Sequence, residues 1–116
     1  ETTIIRFGGL IGPERHPITM LSGRENLKGG NAPINLIHLD DCIGIIKSII
    51  HHNHWNTILN AVYPQHPTKK EYYTKEALKR GIAPPHYESE NFKTYKSIST
   101  HSPFLINNYD FLTSIN

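Results

Sequence analysis

Between Asn35 and Ile50 the spacing of apolar positions changes period. Asn35-Leu36-Ile37-His38-Leu39 alternates in the manner of a strand. Cys42, Ile45, Ile46, Ile49 and Ile50 then recur at i, i+3, i+4, i+7 and i+8, a one-faced stripe at helical period. Asp40 or Asp41 is placed to cap the amides that open this helix and to sit at the positive end of its dipole. Gly44, inside the stripe, lowers helix propensity and is expected where another backbone approaches. The stretch reads as a strand running directly into a capped helix, an α/β unit.

The flanking pattern extends that unit. Glu1-Thr2-Thr3-Ile4-Ile5-Arg6-Phe7 reads as a core strand, and its abrupt start reads as the boundary of a longer protein. Gly8-Gly9-Leu10-Ile11-Gly12-Pro13-Glu14-Arg15 reads as a glycine-punctuated turn at its carboxyl end, where α/β sheets place ligands. His16 to Gly23 predicts a short helix, and Arg24 to Pro33 a loop. The central helix is expected to fray into His51-His52-Asn53-His54-Trp55. Thr57 to Val62 predicts another strand. Thr68-Lys69-Lys70-Glu71 is a capping-box pattern, opening a helix that Gly81 can stop and that Pro84-Pro85 cannot resume. In the polar tail, Lys96 to Ser99 suggests a short strand and Ser102 to Asn107 a short helix opened by Pro103.

Composition narrows the class. With 116 residues the chain is one domain or a piece of one. Its apolar fraction of 37% lies below the ~45–50% of ordinary domains, which favours a piece that leans on a missing partner. Twelve basic and ten acidic residues leave +2, too even to argue for nucleic acid or a membrane surface. One cysteine excludes an internal disulfide framework and fits a reducing cytoplasm. No apolar run approaches the ~20 residues of a membrane-spanning helix.

The residues alone offer little chemistry. Cys42 sits on the buried stripe and reads as a core thiol. His38 with Asp40 and Asp41 forms a possible acid/base group, opposed by a capping role for the aspartates. His51, His52 and His54 invite a metal reading, yet adjacent helical histidines diverge by about 100° and no acidic or thiol ligand is at hand, so a solvated helix end is expected. The glycine loop fails the dinucleotide fingerprint, since Phe7 occupies the first glycine's place and Pro13-Glu14 follow Gly12.

Taken together, the ordered segments resemble a known family. Ile4 to Arg15 resembles the "vlR-x-x-G-x-YGPgR" segment of extended and atypical short-chain dehydrogenase/reductases, the NAD-dependent epimerase/dehydratase superfamily. Ile37-His38-Leu39-Asp40-Asp41 resembles its "IHVDD" element, and Leu59-Asn60-Ala61-Val62 its later "yNv" strand. Thr68 to Pro85, and then Lys96-Ser97-Ile98-Ser99 with Phe104-Leu105 and Asn108 to Phe111, follow the family's remaining order.

The resemblance implies an α/β fold (α+β for an isolated piece) with few strands and two main helices. It implies that residues 1–116 form one substrate-binding domain, the C-terminal half of an NAD(P)-dependent oxidoreductase. The partner would be the missing Rossmann half, carrying the glycine fingerprint and the Tyr-x-x-x-Lys pair that supplies the acid/base for hydride transfer. None of the six tyrosines here has a lysine four residues on, so this piece is expected to lack catalytic residues and to hold neither NAD nor NADP by itself. Family logic places Gly8, Gly9, Leu10, Arg15 and Arg24 toward substrate, and Phe7 and Gly8 toward the nicotinamide. It implies a small-molecule substrate, no metal, no nucleic acid, a cytoplasmic setting, and self-association through any exposed apolar surface.

Two departures bear on substrate. Gly9 stands where nucleotide-sugar epimerases carry asparagine, and Ile34 where they commonly carry arginine. Both point away from a nucleotide sugar and toward atypical members described loosely as epimerases or reductases. The competing reading is a free-standing binding module, which requires a core complete in itself.

Overall fold

The structure, a computed structural model, describes residues 1–89, 103–112 and 115. In chain order the elements are β1 (Thr3–Phe7), β2 (Gly9–Ile11), α1 (Ile18–Leu21), β3 (Leu36–His38), α2 (Leu39–His51), β4 (Thr57–Ala61), α3 (Lys69–Arg80) and α4 (Pro103–Asn108). The fold is α/β, and its residues divide into two compact units. The expected strand at Lys96–Ser99 lies outside the described residues.

Unit 1 holds Glu1–Arg15, Asn35–Pro64 and the described part of Ile98–Ile115. In it β1 pairs in parallel with β4, Thr3 opposite Thr57 through Phe7 opposite Ala61. β2 pairs in parallel with β3, Gly9 opposite Leu36 through Ile11 opposite His38. The stretch read as a glycine turn is therefore partly a strand. The chain changes partner at Gly8, whose N–H donates to the Ala61 carbonyl at 3.0 Å while that of Gly9 donates to the Asn35 carbonyl at 2.8 Å. A Cβ at Gly8 would stand 2.5 Å from Val62 Cγ1 and 2.6 Å from the Asn35 oxygen. Only glycine fits where these backbones cross.

The period-2 alternation of β1 and β4 turns Ile5, Leu59 and Ala61 toward α2, where Ile37, Cys42, Ile45, Ile49 and Leu105 complete the core. The opposite face carries Ile4 and Ile58 side by side, 50% and 55% exposed. The first strand, expected to be a core strand, is thus covered on one face only.

Four expectations for α2 are corrected. Its cap is neither aspartate: His38 occupies the N-cap and its Nδ1 accepts the Asp40 N–H at 3.1 Å. Asp41 is instead fully buried, accepting Tyr109 Oη–H at 2.5 Å and the Leu112 N–H at 2.7 Å. Because this carboxylate is drawn inward, the buried arc is Asp41, Cys42, Ile45 and Ile49, and Ile46 and Ile50 lie exposed with Leu39 and Ile43. Gly44 admits the Tyr109 ring, not another backbone, since a Cβ there would stand 2.5 Å from Tyr109 Oη. The helix does not fray: Asn53 takes φ 52°, and the N–H groups of Asn53 and His54 donate to the Ile50 and Ile49 carbonyls at 3.2 and 3.0 Å. This paired stop is a Schellman closure with asparagine in the left-handed position.

Unit 2 holds His16–Ile34 and Gln65–Ser97 in its described part. The capping pattern is realised: Thr68 Oγ1 accepts the Glu71 N–H at 3.2 Å, and Gly81, at φ 67°, ends α3. The Gly81 and Ile82 N–H groups close on the Leu78 and Ala77 carbonyls. α3 buries Tyr72, Tyr73, Glu76 and Ala77, and α1 buries Ile18.

A candidate substrate pocket at the ends of two parallel strands

The geometry of β2 and β3 creates the cavity of interest. Both strands run the same way, so their carboxyl ends lie together, the position where α/β sheets receive ligands. A cavity of about 360 Å³ opens there, lined by residues 10–15 and Leu39. That volume lies at the small end of ligand sites. The Gly12–Arg15 wall is a closed turn, with the Gly12 N–H donating to the Arg15 carbonyl at 2.8 Å and the reverse bond at 3.2 Å. Leu10, Ile11, Pro13 and Leu39 make the wall largely apolar, and the exposed Glu14 and Arg15 add one charge of each sign. Neither charge meets an ion partner among the described residues.

Of the residues expected near substrate, Leu10 and Arg15 line this cavity together. Gly8 and Gly9 lie just upstream, packed against Asn35, Val62 and Leu36. Phe7 ends β1 and is 38% exposed. Arg24 folds with unit 2, where its carbonyl accepts the His86 N–H at 2.8 Å. Sequence reasoning missed Leu39 as a lining residue. The signal was available: it is the first residue past β3, at the same strand end as the turn.

The alternative chemical groups are all engaged structurally. His38 is a helix cap, 3.6 Å from the Asp40 carboxylate. Asp41 is held by Tyr109, whose hydroxyl is kept protonated well above the ordinary tyrosine range by burial and by its bond to that carboxylate. Burial, followed by the neighbouring Asp41, pushes the Cys42 thiol up, so it is a poor nucleophile. His52 Nδ1 meets the Ser48 carbonyl at 2.9 Å, and His54 stacks on Phe104 with centroids 4.0 Å apart. Among the described residues no three His, Cys, Asp or Glu side chains gather to hold a metal. No described helix is long and apolar enough to cross a membrane.

The Gly8–Gly9 turn does not form a pyrophosphate cradle. A pyrophosphate cradle needs glycines open to the ligand at a helix N-terminus. Here the space at Gly8 and Gly9 is taken by Val62, Asn35 and Leu36, and the strand after Gly9 leads into a turn.

No family model matches the chain. Protein YeeZ of Escherichia coli K12 is 34% identical over 86 residues, which is 74% of this chain and 31% of that protein. The chain thus spans about a third of the curated relative's length. Among solved structures, MoeE5 in complex with UDP-glucose and NAD matches 97% of this chain and 42% of its own, with TM-score 0.72 and 16% identity. The human epimerase family protein SDR39U1 with NADPH matches 73% of this chain and 31% of its own, with TM-score 0.58 and 22% identity. A functionally unknown conserved protein from Silicibacter pomeroyi matches at TM-score 0.62 and 14% identity, over 93% of this chain and 38% of its own. The chain has the α/β fold of part of each of these proteins. Of these neighbours, MoeE5 was solved with NAD, and SDR39U1, an epimerase family protein, with NADPH.

Proposed function

We propose that this chain is the substrate-binding, C-terminal part of an NAD(P)-dependent epimerase/dehydratase-like oxidoreductase. The observation that carries the reading is the open face of the β1–β4 pair. Parallel sheets occur almost only with both faces covered, yet Ile4 and Ile58 stand exposed beside one another. A preceding Rossmann half would cover that face, hold NAD or NADP, and supply the Tyr-x-x-x-Lys pair, a spacing that none of the tyrosines here has. Leu10 and Arg15 would then contact a small-molecule substrate at the strand ends, with Gly8 and Gly9 behind them. Phe7 and Gly8 would approach the nicotinamide.

The upstream coding sequence should encode a glycine fingerprint and a Tyr-x-x-x-Lys pair, and the half it encodes should be produced together with this chain. The two should co-purify, with Ile4→Asp or Ile58→Asp abolishing association while this chain's circular dichroism is unchanged. A chain that binds no apolar dye, remains monomeric alone, and fails to bind the upstream half would overturn the proposal.

A further inference from the structure

One buried titratable group has no part in the cavity. His16 is 7% exposed and lies between α1 and α3 of unit 2. Its Nδ1 accepts the Ile18 N–H at 3.1 Å, an amide at the start of α1 whose residue is wholly buried. Nδ1 therefore carries no proton, and in the neutral ring Nε2–H donates to Tyr72 Oη on α3 at 2.9 Å. The ring also stacks on Tyr72, with centroids 5.8 Å apart, and meets the edge of Tyr73 at 6.3 Å.

A second proton on this ring has no acceptor. It would set Nδ1–H against the Ile18 N–H and place a cation in a buried site. Charges on α3 do not relieve this. Arg80 and Lys79 oppose a positive ring, and Glu76, which favours one, is already engaged by Arg80 Nε at 3.0 Å. Tyr72 and Tyr73 stay neutral at ordinary pH, and α1 itself (Ile18–Leu21) carries no charge. Burial first, then Arg80, lowers the His16 pKa below the free value. The far end of α1 is anchored separately, with Ser22 Oγ–H donating to the Ala83 carbonyl at 2.6 Å.

We propose that the His16–Tyr72 pair is an acid-sensitive latch: protonation of His16 frees the amino-terminal end of α1 from α3 while unit 1 stays folded. His16 directly follows Arg15, the last residue of the cavity wall.

NMR of the full chain from pH 8 to pH 5 tests it. The His16 ring should titrate below the ~6.5 of a free histidine, and the Ile18 and Thr19 amides should shift with the same midpoint. The Trp55 indole and Leu59 amide of unit 1 should not follow. His16→Asn keeps an oxygen able to accept the Ile18 N–H and cannot be protonated, so its Ile18 amide should be flat across the range. A His16 midpoint at or above ~6.5, α1 amides that ignore it, unit 1 signals that move in the same step, or an unchanged Ile18 titration in His16→Asn would each overturn the latch. If the variant does not fold, the coupling of ring and amide in the unaltered chain decides.

Discussion

Replacing Gly44 with alanine sets two effects of opposite sign against each other. Gly44 lies inside α2, where alanine is favoured over glycine by about 1 kcal/mol. The added Cβ, however, would stand 2.5 Å from Tyr109 Oη, 2.7 Å from Cε1 and 3.0 Å from Cζ. Relaxed contact needs about 3.5 Å, so the ring must retreat by roughly 1 Å. It is not free to do so, because Oη–H donates to the buried Asp41 carboxylate at 2.5 Å and the ring packs edge-on against Phe111 at 5.5 Å. Loss of a hydrogen bond to a charged group costs about 1.5–3 kcal/mol. The overlap therefore wins, and Gly44→Ala should destabilise by about 0.5–2 kcal/mol. Once Tyr109→Ala has removed the ring, the same substitution should stabilise by about 0.5–1 kcal/mol. Urea unfolding followed by the single tryptophan, Trp55, which packs on the unit 1 core, reports both backgrounds. An effect of the same sign in both would refute the packing of Tyr109 on Gly44.

The crossing point at Gly8 should respond more simply. Gly8→Ala drives a Cβ into the Asn35 carbonyl and should cost about 1–3 kcal/mol or more. Gly12→Ala, with Leu39 Cβ at 3.7 Å, should stay within about 0.5 kcal/mol; equal effects in urea titrations would contradict the crossing geometry. Thr68→Ala removes the α3 cap and should cost about 1 kcal/mol, read as a lower thermal midpoint; an unchanged midpoint would argue against the cap. Burial, then Tyr87, pushes the Tyr73 hydroxyl up to about 12, above the ~10 of an unfolded chain. Its contribution is therefore complete below pH ~10 and lost as pH rises toward 12. Alkaline unfolding should begin in that window and be blunted in Tyr73→Phe, and equal alkaline sensitivity of the two chains would refute the assignment.

Local signals were legible where the physics is local. The Thr68 cap and the Gly81 stop depend on residues a few positions apart, and both stand as read. So does the helix opened by Pro103. The cap of α2 was misread because two aspartates masked a histidine that also carries an acceptor nitrogen. The cavity was half legible: a turn after a strand pointed to residues 8–15, of which 10–15 line it, but Leu39 joins them only because β3 runs parallel to β2.

Sequence alone determined the helix limits of α3 and, apart from β2, the order of elements, since periodicity and capping act within a few residues. Tertiary structure decided which face of α2 is buried and why Gly8 must be glycine. It also assigned Asp41 a structural role. Each of these depends on partners far along the chain: Tyr109 and Leu112 for Asp41, Asn35 and Val62 for Gly8. The inward pull on Asp41 turns Ile46 and Ile50 outward, against the stripe that the sequence displays, because a buried carboxylate must be bonded wherever its donors lie.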